Sequence, residues 1–325
     1  MMNTEIFHAP RPDSYPRLKA GPLSYLKFSL YAPSLAFSLA LALVLLFASH
    51  IAMAAKPDAA NTANKAVKAL ANQSTESSVG LLPADLGRIK QRGELVIAML
   101  AEDRPPFFNE RNGELVGLEV DLAKSIAQAL NVKVRFNRES KSFNEVVELV
   151  AQRRADLGIS KLSRTLARAQ IVYFSQPYLT LNHALVINRI AFARLASNMR
   201  IEDAIRQYRG GLGVIAGSSY ADFAKSNFPK AQVIEYASWE EVMKAVNNGE
   251  VMGYRDEFEI KRLLKEAPAS ALTLRTFTLK DLEDTLGIAV GVNDPTLLAF
   301  VNQILSQQRD KLDIQKVLNA LETNL

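Results

Sequence analysis

No cysteine occurs among the 325 residues. This excludes a disulfide scaffold, thiol chemistry and thiolate metal sites, and also a lipid anchor carried on a cysteine. Histidine is almost as scarce: three are present, and beyond residue 55 only His183 remains. One imidazole rules out a histidine-built metal cluster. A Ser/His/Asp triad would have to use that same residue, which sits in an apolar strand pattern with no G-x-S-x-G elbow anywhere. No P-loop and no G-x-G-x-x-G follows a strand pattern. Dense charge is missing too. Of the net +5, the first 55 residues carry Arg11, Arg17, Lys19 and Lys27 against Glu5 and Asp13. The rest holds no Lys/Arg run, so nucleic acid is not an expected partner.

What is present suits a soluble, two-lobed globular chain, with 48% apolar and 22% charged residues. The N-terminus carries its positive residues ahead of an uncharged run, Phe28 to Ala55, with an apolar heart from Leu35 to Phe47. That heart has the length of a signal-peptide core, and Ala52-Met53-Ala54 supplies an A-x-A cleavage pattern, leaving Ala55 first. An uncleaved anchor is the alternative, because the charge-free run is long enough to span a bilayer, although Pro33, several serines and His50 dilute it. Either way the positive flank stays inside and the remainder is exported. Residues 56–83 are rich in Ala, Asn, Ser and Lys and lack aromatics, which predicts a flexible linker.

From Leu86 onward, strand and helix patterns alternate, which predicts an α/β chain. A helix over Leu86–Arg92 stops at Gly93, and the strand Glu94–Leu100 follows. Asn112-Gly113 reads as a hairpin turn, and Leu122, Ile126 and Leu130 form one buried helix stripe. Glu119 and Asp121 would cap and orient that helix. The strand Val132–Phe136 leads to a helix over Ser142–Arg153, and Ala155–Ile159 is a buried strand. Further on, Ala184–Asn188 would cross to a second lobe and Leu272–Thr278 would return from it. Asp294 would cap a helix over Pro295–Gln308.

The densest chemistry lies between Ser160 and Arg168. A Ser/Thr turn there offers hydroxyls and amides, Thr165 suits a helix N-cap, and Arg168 follows one turn later. Hydroxyls, helix amides and a forked cation together make a site for a carboxylate or a phosphate.

This stretch resembles the family 3 extracellular solute-binding proteins, the polar-amino-acid receptors of bacterial ABC importers. Asp156, Ser163, Thr165, Arg168, Phe174, Ser175, Pro177 and Tyr178 match that family's pattern. So do the runs LGRIKQRGELVIAM, GELVGLEVDLAKSIA and IAVGVNDPTLLAFVNQIL, and the likeness extends from about Leu86 to Leu321. The resemblance implies a type 2 periplasmic-binding fold, α/β, with two lobes and two hinge crossings: 84–187 and 277–325 in the first lobe, 188–276 in the second. It implies a monomer that takes a small ligand, an amino acid or related carboxylate, closes over it, and delivers it to the permease of an ABC importer, without cofactor, metal or catalysis. Arg168 and Ser163 would hold the carboxylate, with Ser218 and Ser219 facing it from the second lobe. Phe143 would either cover the ligand or pack in the core. Ungapped spacing from Gly249 selects Glu257 as the acid for the ligand's ammonium, with Asp256 adjacent. Arg104 and Lys161 stand where the family has an aromatic and a small residue. With Arg168 they would make three cations against one or two acids, a surplus that favours an acidic amino acid or a dicarboxylate over arginine or lysine. The alternatives are a dehydratase of the cyclohexadienyl type, with Glu257 or Asp256 as proton donor, and a membrane-tethered sensor.

Overall fold

The computed structural model describes residues 82–308 and 311–324. The expected leader, and all but the last two residues of the expected linker, lie outside the described residues. Among those that are described, no helix is long and apolar enough to cross a membrane.

Helix α1 (Ala84–Arg92) ends at Gly93 and feeds β1 (Glu94–Leu100). β2 (Asn109–Arg111) and β3 (Glu114–Val116) form the expected hairpin, with Asn112 and Gly113 both at positive φ, 52° and 80°. There follow α2 (Leu118–Ala129), β4 (Lys133–Ser140), α3 (Phe143–Ala151), β5 (Leu157–Gly158), β6 (Val172–Phe174) and the long β7 (Leu179–Asn188). The middle of the chain holds α4 (Arg189–Leu195), α5 (Ile201–Arg206), β8 (Gly211–Ile215), α6 (Ser219–Asn227), β9 (Gln232–Tyr236), α7 (Trp239–Asn247) and β10 (Val251–Asp256). Last come α8 (Glu257–Glu266), α9 (Ser270–Thr273), β11 (Leu274–Leu286), β12 (Ala289–Gly291), α10 (Pro295–Gln307) and α11 (Ile314–Asn324).

Two five-stranded sheets result, ordered β4-β1-β5-β12-β6 and β11-β7-β10-β8-β9. In the first, β4, β1 and β5 run parallel and β12 runs against its neighbours. Its inner strands β1, β5 and β12 are apolar and buried almost throughout because helices cover both faces, and Ile97, Leu157, Val147, Ile126 and Ile288 make one core. In the second sheet, β9, β8 and β10 are parallel, and a separate core packs on each face, one around Tyr254 and Leu212, the other around Trp239 and Val242.

The crossings are longer than the sequence pattern suggests. β7 and β11 pair antiparallel from Leu179↔Leu286 to Asn188↔Leu274, with an irregularity between Leu279 and Glu283. The expected short crossings at 184–188 and 272–278 are therefore, but for Leu272 and Thr273 in α9, the outer parts of one two-stranded ribbon, and both strands lie wholly in the second sheet. Asn182, His183 and the charges from Lys280 to Asp284 interrupt the apolar alternation and hid the rest.

Asp294 occupies the N-cap position of α10 but makes no capping bond; it accepts from Arg88 Nη2 at 3.0 Å instead. The cap comes from Asp85 at the other end of the described chain, whose Oδ2 accepts from the amides of Thr296 and Leu297 at 2.8 and 2.9 Å. Asp85→Ala should therefore destabilise the fold by about 1 kcal/mol, the ordinary cost of a lost N-cap. For a domain of this size that lowers the melting temperature by roughly 2–4 °C. An unchanged melt would mean that Asp294 takes over the cap.

Candidate functional site

The Ser/Thr turn after β5 is held by bonds from every side. Leu100 donates its amide to Ser160 Oγ at 3.0 Å. Lys161 adopts φ 50°, and its amide donates to Glu119 Oε1 at 2.7 Å, an oxygen that also accepts from the Tyr178 hydroxyl. Glu119 thus does not cap α2 as expected. It is buried under the turn and fixes the turn's backbone, while Gly117 takes the cap position. A side chain at Gly117 would meet the Phe107 carbonyl oxygen at 2.4 Å, so only glycine lets α2 start so close to the 101–108 loop. Burial pushes the Glu119 carboxyl up to about 7, against the hydrogen bonds from Tyr178 and Lys161. The far side of the turn is stitched to the end of β11, with Arg164 donating to the Thr285 carbonyl and Gly287 to that of Leu162, each at 3.0 Å.

No α-helix starts at Thr165. Only a three-residue 3₁₀ turn forms, Arg168–Gln170, because β6 begins at Val172 and leaves no room for more. Thr165 does cap this turn as expected, its Oγ1 accepting from the Arg168 amide at 3.2 Å, but with no helix behind it the anion-binding capacity rests on the guanidinium. That group is pre-set: Arg168 Nε and Nη2 donate to Asn144 Oδ1 at 3.1 and 3.0 Å, and Nη1 donates to the Ser163 carbonyl at 3.1 Å. A guanidinium has five N–H donors, so one remains on each terminal nitrogen, the fork that matches a carboxylate. Burial lowers its pKa to about 10, with Asp284 and Asp222 pulling the other way, so it stays cationic at neutral pH.

Around this fork a cavity of about 20 Å³ is lined by Phe143, Lys161, Ser163, Arg168, Ser218, Ser219, Tyr220, Arg255, Asp256 and Asp284. It has room for a water molecule and not for an amino acid, because the two lobes touch directly: Ser219 Oγ donates to Ser163 Oγ at 2.7 Å. Seven of the nine expected site residues meet here. Arg104 and Glu257 do not. Arg104 pairs with Glu102 at 2.6 Å in its own loop. Glu257 is the first residue of α8, and its carboxylate turns to β7, accepting from the Asn182 amide and side chain at 2.9 and 2.7 Å and pairing with Lys261 at 2.7 Å. Asp256 is the acid that faces the cavity. Ser218 lines the wall, but its hydroxyl is spent on the Ile215 carbonyl at 2.6 Å.

Lys161 differs most from expectation. Its ammonium lies 3.0 Å from Asp256 Oδ2 and 2.6 Å from Glu259 Oε1, between the rings of Phe107 and Phe258 at 5.2 and 5.1 Å. It is a neutralised, buried charge. With Arg104 outside the lining, the cation surplus assigned to these two residues is gone, and so is the acidic-ligand argument built on them.

Three lining residues have no counterpart in the sequence-based expectation: Tyr220, Arg255 and Asp284. Asp284 Oδ2 accepts from Ser163 Oγ at 2.9 Å and from the Tyr220 hydroxyl at 3.2 Å, while its Oδ1 has no hydrogen-bond partner. Burial, then the charge of Asp256, pushes its carboxyl up to about 6, against its bonds and Lys161. A folded pKa above the ordinary carboxylate value of about 4 means that the stability this group contributes is complete below about pH 4 and is lost as pH rises through about 6. Asp284→Asn should therefore raise the melting temperature near pH 8 and change it little near pH 4. Melting curves at both pH values decide it, and a less stable variant near pH 8 would contradict the sign.

His183 is core. Its Nδ1 meets the Tyr254 hydroxyl, its ring packs on Phe223 at 4.7 Å, and burial lowers its pKa to about 4, so it is neutral. Among the described residues no group of three or more His, Asp or Glu is arranged to hold a metal.

Known proteins agree on what this frame is. The model of the bacterial extracellular solute-binding proteins, family 3, matches residues 95–320. The arginine-binding periplasmic protein of Mannheimia haemolytica is 24% identical over 234 residues, 68% of this chain and 88% of that one. The cyclohexadienyl dehydratase of Pseudomonas aeruginosa is 26% identical over 151 residues, 46% of this chain and 53% of the enzyme. Among solved structures, an amino acid ABC transporter substrate-binding protein of Streptococcus pneumoniae, bound to L-arginine, shares the fold with a TM-score of 0.57 at 23% identity, over 73% of this chain and 96% of the other. With the family model matching most of the chain, and two α/β lobes joined by paired crossings beneath it, this chain belongs to family 3 of the bacterial extracellular solute-binding proteins.

Proposed function

We propose that this protein is the capture component of an ABC importer. A small carboxylate-bearing ligand, an amino acid or a close relative, binds between the lobes, which close on it by hinge motion about the β7–β11 ribbon. The closed form is then handed to the membrane permease. Ligand contacts from both lobes favour closure, because only that form makes all of them. The protein acts as a monomer in the periplasm, its leader removed after Ala54. The observation that carries this reading is Arg168: a buried guanidinium oriented by Asn144 and Ser163, with two N–H groups still free, on the wall of a cavity whose other wall supplies Ser219, Asp256 and Asp284.

The test is a melting screen of the exported protein against amino acids, organic acids and opines. A ligand that binds only the folded state raises the melting temperature, and no rise with any of them would overturn the capture reading. Turnover of prephenate or arogenate would instead favour the dehydratase. For that reading Asp284 is the better proton donor, because its carboxyl, raised to about 6, holds a proton nearer neutrality.

A further inference from the structure

The second half of the cavity carries a cation that makes no short contact with an acid. Three positive side chains, Lys161, Arg255 and Arg262, surround two carboxylates, Asp256 and Glu259. Lys161 takes the short contacts, at 3.0 and 2.6 Å, and Arg262 Nη2 lies 3.0 Å from Glu259 Oε2. Arg255 is left with a 3.6 Å approach to Glu259 Oε1, an oxygen already claimed by Lys161, and this is too long for a hydrogen bond. Its guanidinium carbon stacks over the Trp239 ring at 5.2 Å, which holds the plane in place without satisfying any donor. Its Nη1 has no partner, although the residue is only 5% exposed. Arg104 adds repulsion nearby, its own pKa lowered first by burial and then by Arg255. The Glu240 pKa is lowered by bonds to its own backbone and Ser238, and then by the charge of both arginines. An unsatisfied buried cationic donor is costly, and this one lies on the wall of the candidate site.

We propose that Arg255 is a second anion anchor and that the ligand carries two acid groups. The first sits on the Arg168 fork and the second on the open face of Arg255. Where the ligand has an amino group, the unpartnered Oδ1 of Asp284 accepts it, since Asp256 is already occupied by Lys161. The ligand class is therefore small dicarboxylates, among them acidic amino acids. This assignment rests on the capture reading and deepens it. It also restores a preference for acidic ligands on different residues from Arg104 and Lys161, neither of which has a free charge to offer.

The test is calorimetry on the exported protein with L-glutamate, L-aspartate, glutarate, L-glutamine and L-arginine. At least one of the first three should bind roughly 30-fold or more tightly than glutamine, which matches glutamate in shape but lacks the second charge. Arg255→Gln should shrink that ratio to a few-fold. Should that variant fail to fold, Arg255→Lys, which keeps the charge and loses the fork, should give an intermediate ratio. The ratio is taken within one protein, so general destabilisation cancels. Glutamine or arginine binding as tightly as every dicarboxylate, or a ratio unmoved by either substitution, overturns the inference and leaves the capture reading standing. No binding by any of the five, together with a silent melting screen, overturns both.

Discussion

Arg168→Ala is expected to weaken ligand binding by roughly 30-fold or more, about 2–5 kcal/mol, because it removes a forked, charge-assisted partner from a desolvated site. Arg168→Lys should rescue little: it restores the charge but not two parallel N–H donors. The substitution is not silent for folding, as a cleft arginine outside the core would be. Arg168 is 6% exposed, and three of its donors serve Asn144 and the Ser163 carbonyl. Truncation leaves those acceptors unmet, at about 1–3 kcal/mol. Binding must therefore be measured by calorimetry well below the variant's own melting temperature. Unchanged affinity there would remove Arg168 from the site.

Lys161→Met should have the largest effect on stability. It keeps the volume but leaves Asp256 and Glu259 buried without their shared cation, and breaking a buried pair costs about 3–5 kcal/mol. That corresponds to a fall of roughly 10 °C in melting temperature at this size. Burial would raise the Glu259 carboxyl, yet Lys161, Arg255 and Arg262 outweigh it and hold the group below the ordinary carboxylate range. A depressed folded pKa means stability that is present above the ordinary value and lost as pH falls through the folded one. The variant should therefore lose most at neutral pH and converge on the parent in acid. Asp256→Asn in the same background should cost less than it does alone, since the two changes share a partner. Additive losses would show that the contact at 3.0 Å carries no coupling.

Much of the order of strands and helices was legible in the sequence because most segments state their own period, whereas the helices α4, α5 and α8 were not read from it. Gly93 and Asn112-Gly113 marked two boundaries that the structure keeps. Arg168 and its Ser/Thr turn were legible because their chemistry is local in sequence. The partners of Lys161 were not, since Asp256 and Glu259 lie 95 and 98 residues away and only the closed fold brings them together. Arg104 and Glu257 misled for the opposite reason: each turns to a neighbour of opposite charge close by in the chain, Glu102 and Lys261, and so away from the cavity. Asp284 was hidden among the charges Lys280, Asp281 and Glu283, where a solvated strand edge is the natural reading. The trans cap from Asp85 could not be seen at all, because Asp294 already stood in the expected place.

The strand order also sets a timetable for assembly. The second sheet draws on one unbroken stretch, residues 179–286, and can complete itself once that stretch is available. The first cannot. β12 lies in its interior, between β5 and β6, and α10 takes its cap from Asp85 beside the opening helix. As the chain is made from its N-terminus, β1, β4, β5 and β6 wait with an unfilled gap until residues 289–291 arrive, leaving strand edges exposed to misassociation in the interval. A lobe closed by so late a strand cannot lock early: its core stays incomplete until nearly the whole chain has been made.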